Sequence, residues 1–181
     1  EKVIQYYRNE TGLKVADLGT GSGAILVGFL YYCRDAVGVG VDISTEALKI
    51  AEENGQNLKI TDRVEWRQGD YLKAFDEEDI FDGIFSNPPY IPTKDIGGLS
   101  REVKHEPRLA LDGGTDGLYF YHLLAKGAAE HLKPGGFLAV EFGIGQATDI
   151  LEMFRKSAQY EDFEVIKDYG GIERALYCRK K

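Results

Sequence analysis

The chain has 181 residues, 43% of them apolar and 29% charged, which is enough for one domain with a sizeable core. Its formal net charge of −8 argues against a general polyanion-binding surface, because nucleic-acid affinity rests on lysine and arginine neutralising phosphates. No apolar run approaches the roughly 18 residues of a membrane span, residues 1–10 have no signal-peptide profile, and Cys33 and Cys178 form no CxxC pair. A cytoplasmic protein with reduced thiols, no metal site and no membrane contact is the expectation.

The first element is a helix in which Val3, Ile4 and Tyr7 share a face; without an initiator methionine, the chain reads as trimmed or partial. Apolar runs then alternate with helical periodicity, the pattern of βα units on a largely parallel sheet. Strands are predicted at 14–18, 37–41, 63–68, 80–85 and 137–142. Helices are predicted at 24–33, 45–57, 117–132 and 146–157. The second of these has Ser44 as its cap and sets Ala47, Leu48 and Ala51 on one face. Two final strands, 163–168 and 174–178, are joined by the short Tyr169-Gly170-Gly171 connection, so they are predicted to pair as an antiparallel hairpin. Only the segment from Ile91 to Thr115 lacks periodicity. A loop of that length in a small domain is a binding loop, a lid or disordered, and its place in the chain favours the first two.

Residues that could carry chemistry gather at strand ends. Asp17, Leu18, Gly19, Thr20, Gly21, Ser22 and Gly23 join the first strand to the first sheet-flanking helix, where glycines allow close backbone approach and a helix N-terminus meets a polar or negative group. The spacing fits both a loose dinucleotide pattern through Ala24 and the GxGxG form of S-adenosylmethionine-dependent methyltransferases. Asp42 ends the second strand, where a carboxylate can accept two ribose hydroxyls or cap a helix. Asp70 and Tyr71 follow the third strand, placed to take an adenine amino proton and lie against its ring, or to cap and pack.

The fourth strand ends in Asn87, Pro88, Pro89 and Tyr90. Two prolines remove two donors and fix φ, so the chain must leave the sheet and expose an amide, proline carbonyls and an aromatic ring. An amide or amino-base NH2 finds its acceptors there. No proton-transfer pair suited to hydride chemistry follows this strand, so methyl transfer fits better than dehydrogenation. A sulfonium methyl needs chiefly a positioned nucleophile and stabilised developing charge. Glu141, at the end of the fifth strand, is a candidate for substrate contact or for a structural ion pair. His105, His122 and His131 have no ligand spacing, Tyr119 to Tyr121 read as helix packing, and the acidic run Asp76 to Asp79 reads as a solvated turn.

These residues resemble the HemK/PrmC type of protein-(glutamine-N5) methyltransferases over essentially the whole chain. The likeness rests on Asp17 to Gly23, on Ser86 to Pro92, on His105-Glu106-Pro107-Arg108-Leu109-Ala110-Leu111, on Gly113, Gly114, Asp116 and Gly117, on Leu132 to Gly136, and on Glu141 with Gly143. The Asn-Pro-Pro-Tyr motif is shared with adenine-N6 methyltransferases of nucleic acid; the stretch from His105 to Asp116 is the more specific part. The resemblance implies a class I, Rossmann-like, seven-stranded α/β fold with a C-terminal antiparallel hairpin. It also implies S-adenosyl-L-methionine as methyl donor, S-adenosyl-L-homocysteine as product, and the glutamine of a Gly-Gly-Gln loop in peptide-chain release factors as acceptor. Cofactor contacts are implied for Asp17, Gly19, Thr20, Gly21, Ser22, Gly23, Asp42, Asp70, Tyr71 and Asn87. Catalysis is implied for Asn87, Pro88, Pro89 and Tyr90, with Glu106, Pro107 and Glu141 beside them on the substrate. Tyr71 stands where a relative carries tryptophan. The expected enzyme is a monomer that binds neither nucleic acid nor membrane, and the helical substrate-gripping domain of the family is expected to be absent from residues 1–181. An adenine-N6 or other amino-group methyltransferase acting on nucleic acid is the alternative.

Overall fold

Seven strands, β1 (Lys14–Leu18), β2 (Val37–Asp42), β3 (Val64–Gln68), β4 (Phe81–Ser86), β5 (Leu132–Glu141), β6 (Tyr160–Lys167) and β7 (Glu173–Lys180), form one sheet in the order β3-β2-β1-β4-β5-β7-β6. The computed structural model describes residues 1–100 and 107–181. The five strands β1 to β5 pair in parallel, and β7 runs antiparallel to both β5 and β6. Helices α1 (Lys2–Tyr7), α2 (Ala24–Tyr32), α3 (Thr45–Asn57), α4 (Arg108–Leu111), α5 (Tyr119–Gly127) and α6 (Ala147–Lys156) complete the chain.

The central strands are covered on both faces, which is why their sequences are continuous apolar runs rather than alternations. On one face Val15, Phe85 and Phe137 meet Leu26, Phe29 and Leu30 of α2. On the other, Leu18, Ile84 and Leu138 meet Tyr121 and Leu124 of α5 and Phe154 of α6. Each fully buried side chain of this size contributes about 1.5–3 kcal/mol. The cap of α3 is as predicted, Ser44 Oγ accepting from the Ala47 N–H at 3.2 Å. The Gly83 position in β4 is set by packing: a Cβ there would lie 2.0 Å from Cζ of the buried Phe137 ring, its partner across the parallel ladder.

Three expectations are corrected. The helix predicted to run to Leu132 ends at Gly127, a 3-10 turn covers Ala128–His131, and β5 starts at Leu132, five residues early. Leu132 pairs with Phe81, and a register shift between Phe81 and Gly83 lets Pro134, Gly135 and Gly136 stay within the strand. The acidic run is not wholly solvated: Asp79 is buried and ion-paired with Arg67 and Lys14. Burial favours its neutral form, but hydrogen bonds from Arg67 and the Asp76 N–H outweigh that and hold its carboxyl below the usual range. Arg67 also donates to the Ala74 carbonyl at 2.9 Å, which fixes the segment carrying Asp70 and Tyr71.

The two ends of the long segment after Tyr90 are joined to each other, which its lack of periodicity does not suggest. Ile91 forms a parallel bridge with Asp112, and the Thr93 N–H donates to the Gly114 carbonyl at 2.8 Å, closing its base into a short stem. Among the described residues no helix is long and apolar enough to cross a membrane, and no group of three or more His, Cys, Asp or Glu could hold a metal ion. Cys33 and Cys178 are free and buried, and burial raises both thiols.

Candidate active site

The strand order reverses between β1 and β4: the chain builds outward through β2 and β3, then returns to lay β4 against the other side of β1. Loops leaving adjacent strands in opposite directions open a cleft at their carboxyl ends. The glycine loop leaves β1 there and the Asn87 turn leaves β4 there, with Leu18 and Ser86 in register.

The glycine loop is tied to the neighbouring strand ends. The Thr20 N–H donates to the Val41 carbonyl at 2.9 Å, and the Gly21 N–H donates to Asp42 Oδ2 at 2.8 Å. Asp42 Oδ1 accepts from the Ser44 N–H at 2.9 Å. Each oxygen keeps a further lone pair. Gly21, with φ of +55°, has no atom within 4 Å of where a Cβ would stand, so it presents bare backbone. Gly23 does the opposite work: a Cβ there would lie 3.0 Å from both Ala51 and Trp66, so its lack of one seats the loop on α3.

Beneath the loop lies a buried polar chain. Ser86 Oγ donates to the Leu18 carbonyl at 2.7 Å, and the Tyr71 hydroxyl lies 2.6 Å from the same Oγ. The serine has one hydrogen and the carbonyl can only accept, so Tyr71 donates. Tyr71 has a φ of +57°, a left-handed conformation costly for an aromatic residue, held by the burial of its ring and by this hydrogen bond. Its ring edge lies 3.8 Å from the Gly19 Cβ position and packs against Phe120, with centroids 5.0 Å apart. Asp17, at the end of β1, is 1% exposed. Its Oδ2 accepts from Thr20 Oγ1 at 2.7 Å, whereas its Oδ1 has no partner among the described residues. Burial pushes this carboxyl up to about 7, against the opposing hydrogen bond from Thr20.

In the Asn87 turn, Asn87 is exposed, Pro88 is buried, and Pro89 and Tyr90 are half-buried. Neither the Asn87 side chain nor the Pro88 carbonyl has a hydrogen-bond partner among the described residues. The far end of the turn is clamped by a residue not singled out in the sequence, Gln146, at the N-terminus of α6. Its Nε2 donates to the Tyr90 carbonyl at 3.0 Å and the Gly117 carbonyl at 3.3 Å, while its Oε1 accepts from the Gly143 N–H at 2.8 Å. Its helical phase gave no sign of this, since the partners are 3, 29 and 56 residues away.

The remaining predicted residues divide. Ser22 is exposed, and its carbonyl accepts from Asn54 Nδ2. Asp70 is turned toward Lys73 in an exposed ion pair. Pro107 stands just before α4, whose Leu111 carbonyl accepts from the Ile91 N–H at 3.1 Å, so this segment is joined to the end of the turn. Glu106 and His105 lie outside the described residues. The partner of Glu141 is Arg174 at 3.7 Å, on a neighbouring segment and not in the turn; burial raises its carboxyl. His131 is satisfied by the Asp79 carbonyl at 3.0 Å, and Tyr121 is packed as expected, although Tyr119 is 54% exposed.

A family model described as a methyltransferase domain matches residues 9–141. The release factor glutamine methyltransferase of Moorella thermoacetica is 42% identical over 167 residues, covering 92% of this chain and 59% of that protein. The protein of the same name from Bradyrhizobium diazoefficiens is 44% identical over 184 residues, covering 99% of this chain and 61% of its own length. The chain thus spans about three fifths of the length of these curated relatives. Among solved structures, a methyltransferase from Pyrococcus furiosus superposes with a TM-score of 0.71 at 22% identity, covering 99% of this chain and 80% of that one. An RNA methyltransferase from Salinibacter ruber in complex with S-adenosyl-L-homocysteine superposes with a TM-score of 0.59 at 18% identity, covering 99% and 88%. At these identities the superpositions speak to the fold alone.

Proposed function

Since the chain belongs to the methyltransferase domain family, whose model matches residues 9–141, we propose that it is the catalytic domain of a protein-(glutamine-N5) methyltransferase. Its seven-stranded sheet with a C-terminal antiparallel pair is the class I methyltransferase fold. In the proposed reaction a methyl group passes from S-adenosyl-L-methionine to the side-chain amide of the glutamine in the Gly-Gly-Gln loop of peptide-chain release factors. The observation that carries this reading is a pair of acceptors without partners among the described residues, the Asn87 side-chain oxygen and the Pro88 carbonyl, on a proline-stiffened turn at the strand-order reversal. The names of the curated relatives support the choice of acceptor.

The donor site is assigned to the glycine loop on the same grounds. A buried oxygen on Asp17 with no partner among the described residues, bare backbone at Gly21 and a strand-end carboxylate on Asp42 suit a cationic, ribose-bearing ligand. Asp17, Gly19, Thr20, Gly21, Ser22, Gly23, Asp42, Asp70 and Tyr71 would hold it, with Asn87 at the boundary between donor and acceptor. When bound, S-adenosyl-L-methionine supplies an electrophilic methyl on a sulfonium and leaves as S-adenosyl-L-homocysteine.

An amide nitrogen is a weak nucleophile because its lone pair is delocalised, so the turn must orient it and favour charge on it. Asn87 Oδ1 and the Pro88 carbonyl would accept the two hydrogens of the glutamine NH2, fixing its plane and stabilising positive charge as it grows on nitrogen. As the N–C bond forms and the S–C bond breaks the nitrogen becomes acidic, and it gives up one of these protons to solvent as the N-methyl amide leaves. Pro89 and Tyr90 flank the planar group, and the Tyr90 ring excludes water. Pro107, joined to the end of the turn through α4, extends the acceptor surface. The same reading makes the protein a cytoplasmic monomer that acts on a protein rather than on nucleic acid.

The test is tritiated methyl transfer to purified release factor, to its glutamine-to-alanine variant in the Gly-Gly-Gln loop, and to RNA and DNA. Label on release factor that disappears with the glutamine is the expected result. Label on nucleic acid but not on release factor would overturn the assignment in favour of an amino-base acceptor, which presents the same planar NH2 group.

A further inference from the structure

We propose that Gln146 is a positioning residue for the acceptor site, setting the Asn87–Tyr90 turn through its hydrogen bond to the Tyr90 carbonyl. The inference rests on the reading of that turn as the methyl-acceptor site. Pro88 and Pro89 have no N–H, so two of the turn's four residues cannot tether it by donation. Its upstream end is fixed by the pairing of Ser86 with Leu18 and Val140. Its downstream end is the peptide joining Tyr90 to Ile91, whose N–H goes to the Leu111 carbonyl at 3.1 Å and whose carbonyl goes to Gln146 Nε2 at 3.0 Å.

All three hydrogen bonds of the Gln146 amide are to backbone, and they join three separate segments: the turn, the Gly117 approach to α5, and the β5–α6 connection at Gly143. Two carbonyls face the nitrogen and one N–H faces the oxygen, so only this orientation of a neutral amide satisfies all three. Glycines leave the space that the amide and the turn need. A Cβ at Gly117 would fall 2.4 Å from the Tyr90 oxygen and 2.9 Å from Gln146 Nε2, one at Gly113 would fall 2.8 Å from the Pro89 oxygen, and one at Gly143 would fall 3.0 Å from both Gln146 Oε1 and the Tyr90 ring. The base of Gln146 is anchored in turn, because α6 buries Ala147, Ile150 and Phe154.

Two substitutions separate this role from packing. Gln146→Met keeps length and volume but removes every hydrogen bond. Gln146→Glu keeps an acceptor for the Gly143 N–H but sets a carboxylate against two carbonyls. A displacement of the turn by about 1 Å is expected to lower kcat by about 10²-fold in both variants, with KM for release factor and the dissociation constant for S-adenosyl-L-methionine each changed less than about threefold, as remote binding contacts persist. Hydrogen exchange of the Ile91 and Gly113 amides, which bond within the stem, should accelerate by about tenfold or more in the cofactor-free variants while Leu138 and Val140 in β5 stay protected. Wild-type kcat in Gln146→Met would overturn the proposal, and so would a loss of cofactor affinity and of β5 protection matching the loss of kcat, which would mark a general structural role. The exchange measurement needs no acceptor, so a wild-type protein that methylates no release factor would count against the activity assignment, while exchange still decides whether Gln146 holds the turn.

Discussion

Replacing Asp17 with asparagine removes a buried charge whose cost depends on pH. The carboxyl is 1% exposed, one oxygen accepts a single hydrogen bond from Thr20, and the other has no partner among the described residues. Burial is the largest influence and raises its pKa from 3.8 to about 7. Between those values the folded protein holds a proton that the unfolded chain has released, so stability falls as pH rises through that window and levels off above about 7. The gap of about three pH units at 1.36 kcal/mol each gives roughly 4 kcal/mol, a large share of the 5–15 kcal/mol typical of a domain. Asparagine has nearly the same shape, can still accept from Thr20, and carries no titrating proton. Urea unfolding followed by far-ultraviolet circular dichroism in steps from pH 4 to pH 8 should show Asp17→Asn gaining on the wild type by up to roughly 4 kcal/mol as pH rises. The carboxyls held low in the fold, those of Glu46, Asp79 and Asp112, are common to both proteins and cancel in the difference. Parallel stability curves across pH 4 to 7 would refute the assignment of a raised carboxyl to Asp17.

The other predictions concern the cleft and its support. Asn87→Ala should leave cofactor binding partly intact and lower turnover by roughly 10²-fold or more, as when one preorganised hydrogen-bonding group is lost; undiminished turnover would reject its role in holding the acceptor. Asp42→Ala should weaken cofactor binding, because the carboxylate that organises the Gly21 and Ser44 amides disappears; unchanged affinity by calorimetry would refute it. Gly83→Ala should destabilise the domain by about 1–3 kcal/mol through overpacking, since the new methyl meets the buried Phe137 ring at 2.0 Å. Phe137→Leu should recover part of that loss in scanning calorimetry, and an unshifted melting temperature in Gly83→Ala alone would contradict the packing argument.

Much of the framework was readable along the chain. The cap at Ser44, the continuous apolar runs of the doubly covered strands, the glycine loop and the two prolines after Ser86 are local signals, each contained in a short window. They were sufficient to place an acidic or amide side chain at the ends of β1 to β4 and to bring the methyl-transfer chemistry into view. The register of β5, the ion pairs of Asp79, the inward hydroxyl of Tyr71 and the stem beneath the long loop were not readable in this way. Each depends on a partner outside the local window: Phe81 for Leu132, Arg67 for Asp79, Ser86 for Tyr71, Asp112 for Ile91. Residue types and their local spacing therefore determined that this is an α/β protein with a glycine loop after β1 and a proline-stiffened turn after β4. Which groups kept hydrogen-bonding capacity was decided by the tertiary structure, because that capacity is shared out only when the strand order is set: Gln146 took the Tyr90 carbonyl, Ser86 took the Tyr71 hydroxyl, and the Asn87 side chain and Pro88 carbonyl have no partner among the described residues.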